Sequence, residues 1–278
     1  MAIANARAQP IPMYAEMSCI NPVYLMPGAL AERADLLGQQ FIDSLTLGVG
    51  QFCTNPGLLL LLAGPDVARF EQAAATALQA KPAGTMLTNG ICQSYQRGAK
   101  KLGDQPEVGT LALGKAADTQ ACQARAMLFT TTGAAFLSNP AMEDEVFGPS
   151  ALIVVCHNHE ELLQIARRLS GQLTATLHVA GADHADAKKL LSLLERKAGR
   201  ILVNDFPTGV EVCHAMVHGG PYPSTSNSMS TSVGSRAIER FLRPVCYQNL
   251  PPEFLPPPLQ GANPLGLWRL IDGALAKA

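Results

Sequence analysis

The chain has 278 residues, of which 47% are hydrophobic and 15% are charged, so it is long and apolar enough to bury a sizeable core. A formal net charge of -1 and the lack of Lys or Arg runs exclude an electrostatic surface for nucleic acid or acidic lipid, which leaves small molecules as the expected ligands. The seven cysteines lack paired spacing and the apolar runs fall far short of the roughly 20 residues of a membrane span, so we expect a cytoplasmic protein without a membrane partner.

Helices and strands are predicted to alternate along most of the chain. Apolar residues at helical spacing predict helices over 29–47, 66–80, 88–95, 158–171 and 184–198. Asn158, with Glu161 three residues later, has the pattern of a capping box at the start of one helix. Apolar runs bounded by turns predict strands over 58–62, 125–130, 151–156, 173–179 and 200–204. The alternation predicts an α/β fold with a mostly parallel sheet and helices on both faces.

The last part of the chain breaks this pattern. Gly, Pro, Ser and Thr dominate residues 205–235, which predicts a long ordered loop of the kind that often carries function. Residues 240–248 alternate between apolar and polar types enough to predict a strand. Residues 251–258 are Pro-rich and are predicted to be extended.

Cys53 is the strongest candidate for chemistry. It follows a predicted helix and the turn that contains Gly48 and Gly50, and it precedes a predicted strand. A nucleophilic cysteine needs a helix N-terminus or a positive partner to favour the thiolate, and we expect the backbone amides of Thr54 and Asn55 to supply that field. The alternative is that Cys53 is a small buried apolar residue.

Four segments resemble the aldehyde dehydrogenase superfamily in their order and rough spacing. They are residues 14–18 (Tyr-Ala-Glu-Met-Ser), 50–57 (Gly-Gln-Phe-Cys-Thr-Asn-Pro-Gly), 145–149 (Glu-Val-Phe-Gly-Pro) and 199–204 (Gly-Arg-Ile-Leu-Val-Asn). Three later segments resemble the α-ketoglutaric semialdehyde dehydrogenase branch, namely 206–212 (Phe-Pro-Thr-Gly-Val-Glu-Val), 219–223 (Gly-Gly-Pro-Tyr-Pro) and 240–249 (Arg-Phe-Leu-Arg-Pro-Val-Cys-Tyr-Gln-Asn). The resemblance covers nearly the whole chain, but only the C-terminal half of such a subunit.

The resemblance implies three segments. Residues 1–18 resemble the end of the coenzyme-binding domain with its general base, and residues 19–236 resemble the catalytic domain. Residues 237–278 resemble the oligomerisation strand followed by a Pro-rich tail. Since most of a coenzyme domain has no counterpart before Tyr14, we expect weakened binding of NAD or NADP, little dehydrogenase activity from the chain alone and an unusually apolar surface.

The resemblance assigns catalytic roles to Cys53 and Glu16. Cys53 would attack the aldehyde carbonyl, and the thiohemiacetal would lose hydride to a nicotinamide and become a thioester. Glu16 would activate the water that hydrolyses the thioester, and we expect burial beside Tyr14, Met17 and Ile20 to raise its pKa. Without the resemblance, Glu16 is a solvent-facing carboxylate at the end of an extended segment.

The resemblance also assigns the binding residues. Glu145 would contact the nicotinamide ribose and Phe147 would pack beside the nicotinamide ring, so the implied cofactor is NAD or NADP. Phe206, Thr208 and Val210 would line the aldehyde entrance, with plain loop packing as an equal alternative.

Histidine and cysteine clusters do not predict a metal. Residues 156–159 and the group Cys213, His214 and His218 contain possible zinc ligands. Neither group has the paired spacing of a structural zinc site, and no second cluster completes four ligands. We therefore predict no metal.

The function implied by the resemblance is oxidation of α-ketoglutaric semialdehyde to α-ketoglutarate. A fatty or other aliphatic aldehyde is the alternative substrate, because related branches share the wording around Cys53. Two further alternatives are a non-catalytic assembly partner that uses residues 240–248, and a thiol esterase that uses Cys53 and Glu16 without coenzyme. The implied partners are a small aldehyde and either identical or full-length subunits.

Overall fold

A computed structural model describes residues 2–118 and 121–277 of the chain, so Met1 and Ala278, the outer ends of the first and third predicted segments, lie outside the described residues. The strands are β1 Pro22–Leu25, β2 Leu58–Leu62, β3 Gly84–Thr85, β4 Gly109–Leu113, β5 Gln123–Ala124, β6 Met127–Thr132, β7 Ser150–Cys156, β8 Gln172–His178, β9 Ala198–Val203, β10 Arg269–Ile271 and β11 Ala274–Ala276. The helices are α1 Ala2–Asn5, α2 Pro27–Thr46, α3 Val67–Ala80, α4 Asn89–Gly103, α5 Gly133–Ser138, α6 His159–Arg168 and α7 His184–Leu194. None of the described helices has both the length and the apolar character needed to cross a membrane.

Seven strands form one sheet in the order β4-β6-β7-β2-β1-β8-β9. β4 pairs antiparallel with β6, and the other neighbouring strands pair in parallel. Tyr24 of β1 lies in register between Leu60 of β2 and Leu177 of β8. The predicted mostly parallel sheet is therefore confirmed. Strand β2 begins directly after the loop that contains Cys53.

Strand β2 shows how the sheet divides the core. Leu58, Leu60 and Leu62 belong to one buried cluster, whereas Leu59 and Leu61 belong to another. Successive side chains of a strand point to opposite faces, so a continuous apolar run suits a strand that is buried on both. Helices α5, α6 and α7 contribute to the first cluster, and helices α2 and α3 contribute to the second.

The irregular segment after β9 is the predicted long loop. All of residues 205–234 are described, and they contain no helix and no strand apart from an isolated antiparallel bridge between Thr225 and Glu16. Three of its polar side chains, Ser224, Thr225 and Thr231, are buried, and this burial requires hydrogen bonds within the protein. The loop is thus ordered by internal contacts, and residues 13–17 lie against residues 224–226 of it.

Residues from Phe241 to the C-terminus form a second compact unit, and the residues up to Arg240 form the first. Residues 240–248 form no strand within this single chain, because the 3-10 helix Ser235–Phe241 includes Arg240 and no described strand pairs with residues 242–248. Pairing of this segment with a neighbouring subunit stays a prediction. An extended segment becomes a strand only through hydrogen bonds to a neighbouring strand. The C-terminal β-structure of this unit is the short hairpin of β10 and β11.

Candidate active site

Cys53 lies on the loop between the 3-10 helix Leu47–Gly50 and β2. Gly48 and Gly50 have φ values of +55° and +65°, which glycine adopts without the strain that a Cβ would add. A Cβ on Gly50 would lie 2.3 Å from the carbonyl carbon of Gly148. The loop therefore packs directly on the backbone that leads into β7.

Two buried asparagines fix the backbone of this cysteine loop. The side-chain amide of Asn21 donates to the carbonyl oxygen of Cys53 at 2.9 Å and to that of Asn55 at 3.0 Å. The side-chain amide of Asn55 donates to the carbonyl oxygen of Gly148 at 3.1 Å. Asn21 Oδ1 accepts from the backbone amide and the hydroxyl of Thr174 in β8. These bonds attach Cys53 to the central sheet.

The side chain of Cys53 meets those of His218 and Glu16. His218 Nε2 lies 3.4 Å from Cys53 Sγ and 2.9 Å from Glu16 Oε2. The side chain of His218 is 8% exposed and that of Glu16 is 35% exposed, so the cluster reaches solvent through the carboxylate. The structure thus brings the predicted nucleophile and the predicted base together, with a histidine between them.

Backbone contacts of the long loop position both partners of Cys53. Glu16 forms the isolated bridge with Thr225. The backbone amide of His218 donates to Thr231 Oγ1 at 2.8 Å, and the Thr231 hydroxyl donates to the carbonyl oxygen of Val233 at 2.7 Å. The loop predicted to carry function therefore holds the imidazole in place and ties down the carboxylate beside it.

The charges in the cluster overturn one prediction. Hydrogen bonds to Cys53 and Glu16 raise the pKa of His218 to about 9, which favours the imidazolium at neutral pH. The hydrogen bond from His218 holds the pKa of Glu16 below its usual value, although burial acts in the opposite direction. The expected increase in the Glu16 pKa is wrong, because an adjacent imidazolium stabilises the carboxylate more than the apolar neighbours destabilise it.

The nucleophilic form of cysteine is the thiolate, and reactive cysteines lie beside a positive partner or a helix N-terminus. No helix begins between Cys53 and β2 in the described chain. The positive partner in this site is therefore a side chain, His218, rather than a helix N-terminus. A thiolate that attacks and a carboxylate that can accept a proton from water are the two groups needed to form and hydrolyse a thioester.

From the sequence, His218 was only a possible zinc ligand together with Cys213 and His214, and no metal was predicted there. In the structure, His214 Nδ1 lies 2.5 Å from Ser235 Oγ, and Cys213 is an exposed free thiol. His218 is 165 residues from Cys53 along the chain, so no local spacing links the two. The only available signal was chemical, since an adjacent histidine is a common activating partner of a nucleophilic thiol.

Glu145 and Phe147 line clefts close to the segment that carries Glu16. Glu145 Oε2 accepts from the Ser18 hydroxyl at 2.5 Å, and burial raises the pKa of Glu145 despite that bond. A cleft of about 310 Å³ is lined by Glu145, Ser18 and Lys101 among others. Phe147 is 37% exposed and, with Glu145 and Tyr95, lines a cleft of about 250 Å³.

The side chains predicted at the aldehyde entrance are partly engaged in packing. The ring of Phe206 lies 6.0 Å from that of Phe41 and 4.5 Å from that of His178, between ring centroids. Thr208 Oγ1 lies 2.7 Å from Ser44 Oγ, and Val210 is half-buried. For Phe206 and Thr208, these contacts are the ones expected from the alternative role, which is plain packing of the loop.

The segment that contains Phe206, Thr208 and Val210 nevertheless lies against the cysteine loop. The backbone amide of Gly209 donates to Thr54 Oγ1 at 3.2 Å, one residue from Cys53. Arg200 Nη2 donates to the carbonyl oxygens of Pro207 at 2.7 Å and Gly209 at 3.1 Å. The segment is therefore fixed from both sides beside the thiol.

Curated relatives match this chain. No family model matches the chain. The α-ketoglutaric semialdehyde dehydrogenase 2 of Azospirillum brasilense is 59% identical over 271 residues, which cover 98% of this chain and 51% of that protein. The α-ketoglutaric semialdehyde dehydrogenase of Acinetobacter baylyi is 45% identical over 276 residues, which cover 99% of this chain and 52% of that protein. Over nearly all of its length the chain is similar to these aldehyde dehydrogenases. It spans about half the length of the curated relatives that it matches.

Solved aldehyde dehydrogenases share its fold. The γ-glutamyl-γ-aminobutyraldehyde dehydrogenase of Burkholderia cenocepacia matches with a TM-score of 0.66 at 16% identity, over 82% of this chain and 45% of that one. The betaine aldehyde dehydrogenase of Staphylococcus aureus, in complex with NAD+, matches with a TM-score of 0.66 at 18% identity, over 81% of this chain and 44% of that one. These matches confirm the predicted fold class.

The residues around Glu145 fit the ribose end of a nicotinamide coenzyme. The carboxylate already accepts a hydroxyl donor, that of Ser18, inside the cleft, and a ribose offers hydroxyls of the same kind. The exposed ring of Phe147 offers an apolar surface in the cleft that it shares with Glu145. Glu145 and Phe147 would therefore hold the nicotinamide riboside.

Proposed function

We propose that the chain carries the thiol chemistry of an α-ketoglutaric semialdehyde dehydrogenase, which oxidises this semialdehyde to α-ketoglutarate with NAD or NADP. The observation that carries the proposal is the cluster of the Cys53, His218 and Glu16 side chains. Asn21 holds the loop that carries Cys53. The 59% identity to the Azospirillum brasilense relative supports the choice of substrate.

In the proposed first stage, Cys53 becomes acylated. Its thiolate, paired with the His218 imidazolium, attacks the carbonyl carbon of the aldehyde and forms a thiohemiacetal. The Asn21 and Asn55 side chains keep the backbone of the loop in place during the attack. A bound NAD or NADP would supply the acceptor for the hydride, and loss of that hydride from the thiohemiacetal carbon would leave a thioester on Cys53.

In the proposed second stage, water hydrolyses the thioester. The His218 hydrogen bond keeps Glu16 ionised at neutral pH, so the carboxylate can accept a proton from an attacking water molecule. Its 35% exposure leaves room for that water beside it. Collapse of the tetrahedral adduct releases the acid and returns the thiolate to its imidazolium partner.

Arg200 is our candidate for the substrate's distal carboxylate. Its guanidinium is half-buried, and burial lowers its pKa. Cys53 and Asp205 are close enough to act on that pKa in the opposite direction. Arg200 Nε is buried without a hydrogen-bond partner among the described residues. A fixed guanidinium recognises a carboxylate through paired donors, and a simple aliphatic aldehyde would not use it.

The proposal is tested first at the thiol. Limiting iodoacetamide followed by peptide mass spectrometry ranks the seven cysteines, and we expect Cys53 to react first. Cys53→Ala is the negative control, and Cys213→Ala, which removes an exposed thiol, is the matched one. The chain is then given α-ketoglutaric semialdehyde with NAD or NADP, and a mass increase that fits the thioester is sought on Cys53. Unselective alkylation, together with no adduct in the presence of coenzyme, would contradict the proposal.

The setting proposed for this activity is the cytoplasm, in a homo-oligomer or together with full-length subunits. All seven cysteines are free thiols, which suits a reducing compartment. The unit that begins at Phe241 exposes several large apolar side chains, namely Phe241, Leu242, Phe254, Trp268, Leu270 and Leu275. Exposed apolar groups in such a number favour association with another subunit.

A further inference from the structure

The cluster around Cys53 has the composition of a metal site. Glu16, Cys53 and His218 each offer one ligand atom, and each of these atoms lies within 4.8 Å of the other two. Among the described residues, this is the group of His, Cys, Asp or Glu side chains that could hold a metal ion. A thiolate, an imidazole and a carboxylate are all ligands of zinc. Magnesium and calcium prefer oxygen ligands alone, so the thiol and the imidazole select against them.

We propose that Zn²⁺ binds reversibly to Cys53 Sγ, His218 Nε2 and Glu16 Oε2 and blocks the thiol, as an inhibitory site rather than a resident cofactor. The bound ion would form one bond to each of the three side chains, the His218 imidazolium would release its Nε2 proton to the solvent, and a water molecule would complete the tetrahedron. The sulfur then shares its electron pair with zinc and cannot attack a carbonyl. The proposal uses the residues of the proposed function, but it requires neither an aldehyde nor a coenzyme.

The distances in the cluster are close to those of a zinc site. With Zn–S bonds of about 2.3 Å and Zn–N or Zn–O bonds of about 2.0 to 2.1 Å, ligand atoms at tetrahedral angles lie about 3.3 to 3.6 Å apart. Cys53 Sγ and His218 Nε2 are 3.4 Å apart. His218 Nε2 and Glu16 Oε2 are 2.9 Å apart, so this pair has to separate by about half an ångström, and all three ligand atoms lie within 4.8 Å of one another.

The protein holds the three ligands before any ion arrives. Cys53 is fixed through the Asn21 side chain, which donates to its carbonyl oxygen at 2.9 Å. His218 is fixed through its backbone amide on Thr231. A site whose ligands are already positioned loses little conformational entropy on binding. The exposed side of Glu16 gives the ion a path to the sulfur.

Neighbouring charges set the strength and the reversibility of binding. A thiolate and a carboxylate supply two negative charges, whereas Arg240 and Arg200 act electrostatically on Glu16 and Cys53 respectively. These guanidinium groups oppose a second positive charge in the site. Three protein ligands with opposing cations bind zinc more weakly than the four ligands of a structural site. Chelation should therefore remove the ion without unfolding the chain.

The first experiment measures alkylation of Cys53 by iodoacetamide with and without zinc chloride in a buffer that does not bind metals. We expect zinc to slow alkylation of Cys53 by about tenfold or more, because the coordinated sulfur is no longer nucleophilic. EDTA should restore the original rate. Equal rates with and without zinc would overturn the proposal, whatever the dehydrogenase activity of the chain.

Variants identify the ligands. In His218→Ala or Glu16→Gln, added zinc should no longer slow the alkylation of Cys53. In His214→Ala, a variant on the same loop, zinc should still slow it. Since a variant can misfold, Co²⁺ is added to the unmodified chain as a second test. One equivalent should give the near-ultraviolet charge-transfer absorption of a thiolate ligand, and alkylation of Cys53 should remove it. Absence of that absorption, or its persistence after alkylation, would contradict binding at this sulfur.

Discussion

His218 and Cys53 lie 165 residues apart in the chain, yet Nε2 of one is 3.4 Å from Sγ of the other. Glu16 contacts the same nitrogen at 2.9 Å. One imidazole therefore serves a sulfur and a carboxylate at once, and it is the most buried of the three side chains. The position of this ring decides both the charge of the site and the reactivity of the thiol.

The first prediction concerns that ring. With chelator present and at neutral pH, His218→Gln should slow alkylation of Cys53 by about tenfold to 100-fold, because the thiolate loses its positive partner. His214→Gln is the matched control, since it lies four residues earlier on the same loop and contacts Ser235 instead. The rate constant for iodoacetamide, followed by mass spectrometry of the Cys53 peptide, is the measurement. If His218→Gln and His214→Gln react at the same rate as the unmodified chain, the imidazolium does not activate the sulfur.

The second prediction concerns the turn before Cys53. Gly50→Ala should lower the free energy of unfolding by about 3 kcal/mol or more, from a left-handed φ combined with a steric overlap. The added Cβ would lie 2.3 Å from the carbonyl carbon of Gly148, and backbone atoms cannot rotate away. Urea denaturation measures the change.

Gly181→Ala is the control for that substitution, because a Cβ at Gly181 would have nothing within 4 Å. It should change stability by less than about 1 kcal/mol. Similar losses in the two variants would mean that the close approach to Gly148 is not what holds the cysteine loop.

Elements with a local signal were predicted correctly from the sequence. The apolar run of β2 is buried on both faces, as a strand between two helical layers must be. The capping box at α6 was half right. The side chain of Asn158 accepts from the Glu161 amide, but the Glu161 carboxylate accepts from the amide of His157 rather than from that of Asn158. Such features depend on residues a few positions apart, so a single sequence contains them.

Features that depend on distant contacts were not predictable in this way. Asn21 holds the cysteine loop only because β1 lies beside both β2 and β8. The lowered pKa of Glu16 follows from His218, which the fold brings to it. A strand at residues 240–248 would need a partner that no described strand supplies. In each case the missing information is the identity of the neighbour in space, which spacing along the chain does not give.

The third prediction is a loss of stability in acid that comes from His178. This side chain is 1% exposed, both ring nitrogens lack a hydrogen-bond partner among the described residues, and burial lowers its pKa to about 4. The unfolded chain has an ordinary histidine pKa near 6.5. Between pH 6.5 and pH 4 the unfolded state therefore binds more protons, and stability falls as the pH is lowered.

From pH 7.5 to pH 5 the contribution of His178 to this loss should be about 2 kcal/mol. His178→Leu keeps an apolar contact for Phe206, whose ring lies 4.5 Å from that of the histidine, and removes the titrating group. The free energy of unfolding of the variant, relative to the unmodified chain, should rise by that amount as the pH falls. A difference that is independent of pH would show that His178 is not buried as a neutral imidazole.

The fourth prediction concerns the coenzyme cleft, and it depends on the proposed function. Glu145→Gln should weaken the binding of NAD or NADP by about tenfold, because a neutral amide accepts more weakly from ribose hydroxyls than a carboxylate does. Burial raises the pKa of Glu145 above its usual value, so the affinity of the unmodified chain should also fall in mild acid as this carboxylate takes up a proton. Asp144→Asn removes an exposed carboxylate of the same cleft, one residue away, that pairs with Lys101, and it should weaken binding much less than Glu145→Gln. The measurement is the dissociation constant of the reduced coenzyme from its fluorescence, at neutral pH and in mild acid. Equal weakening in Glu145→Gln and Asp144→Asn would indicate a general effect of negative charge, and would remove Glu145 from the ribose site.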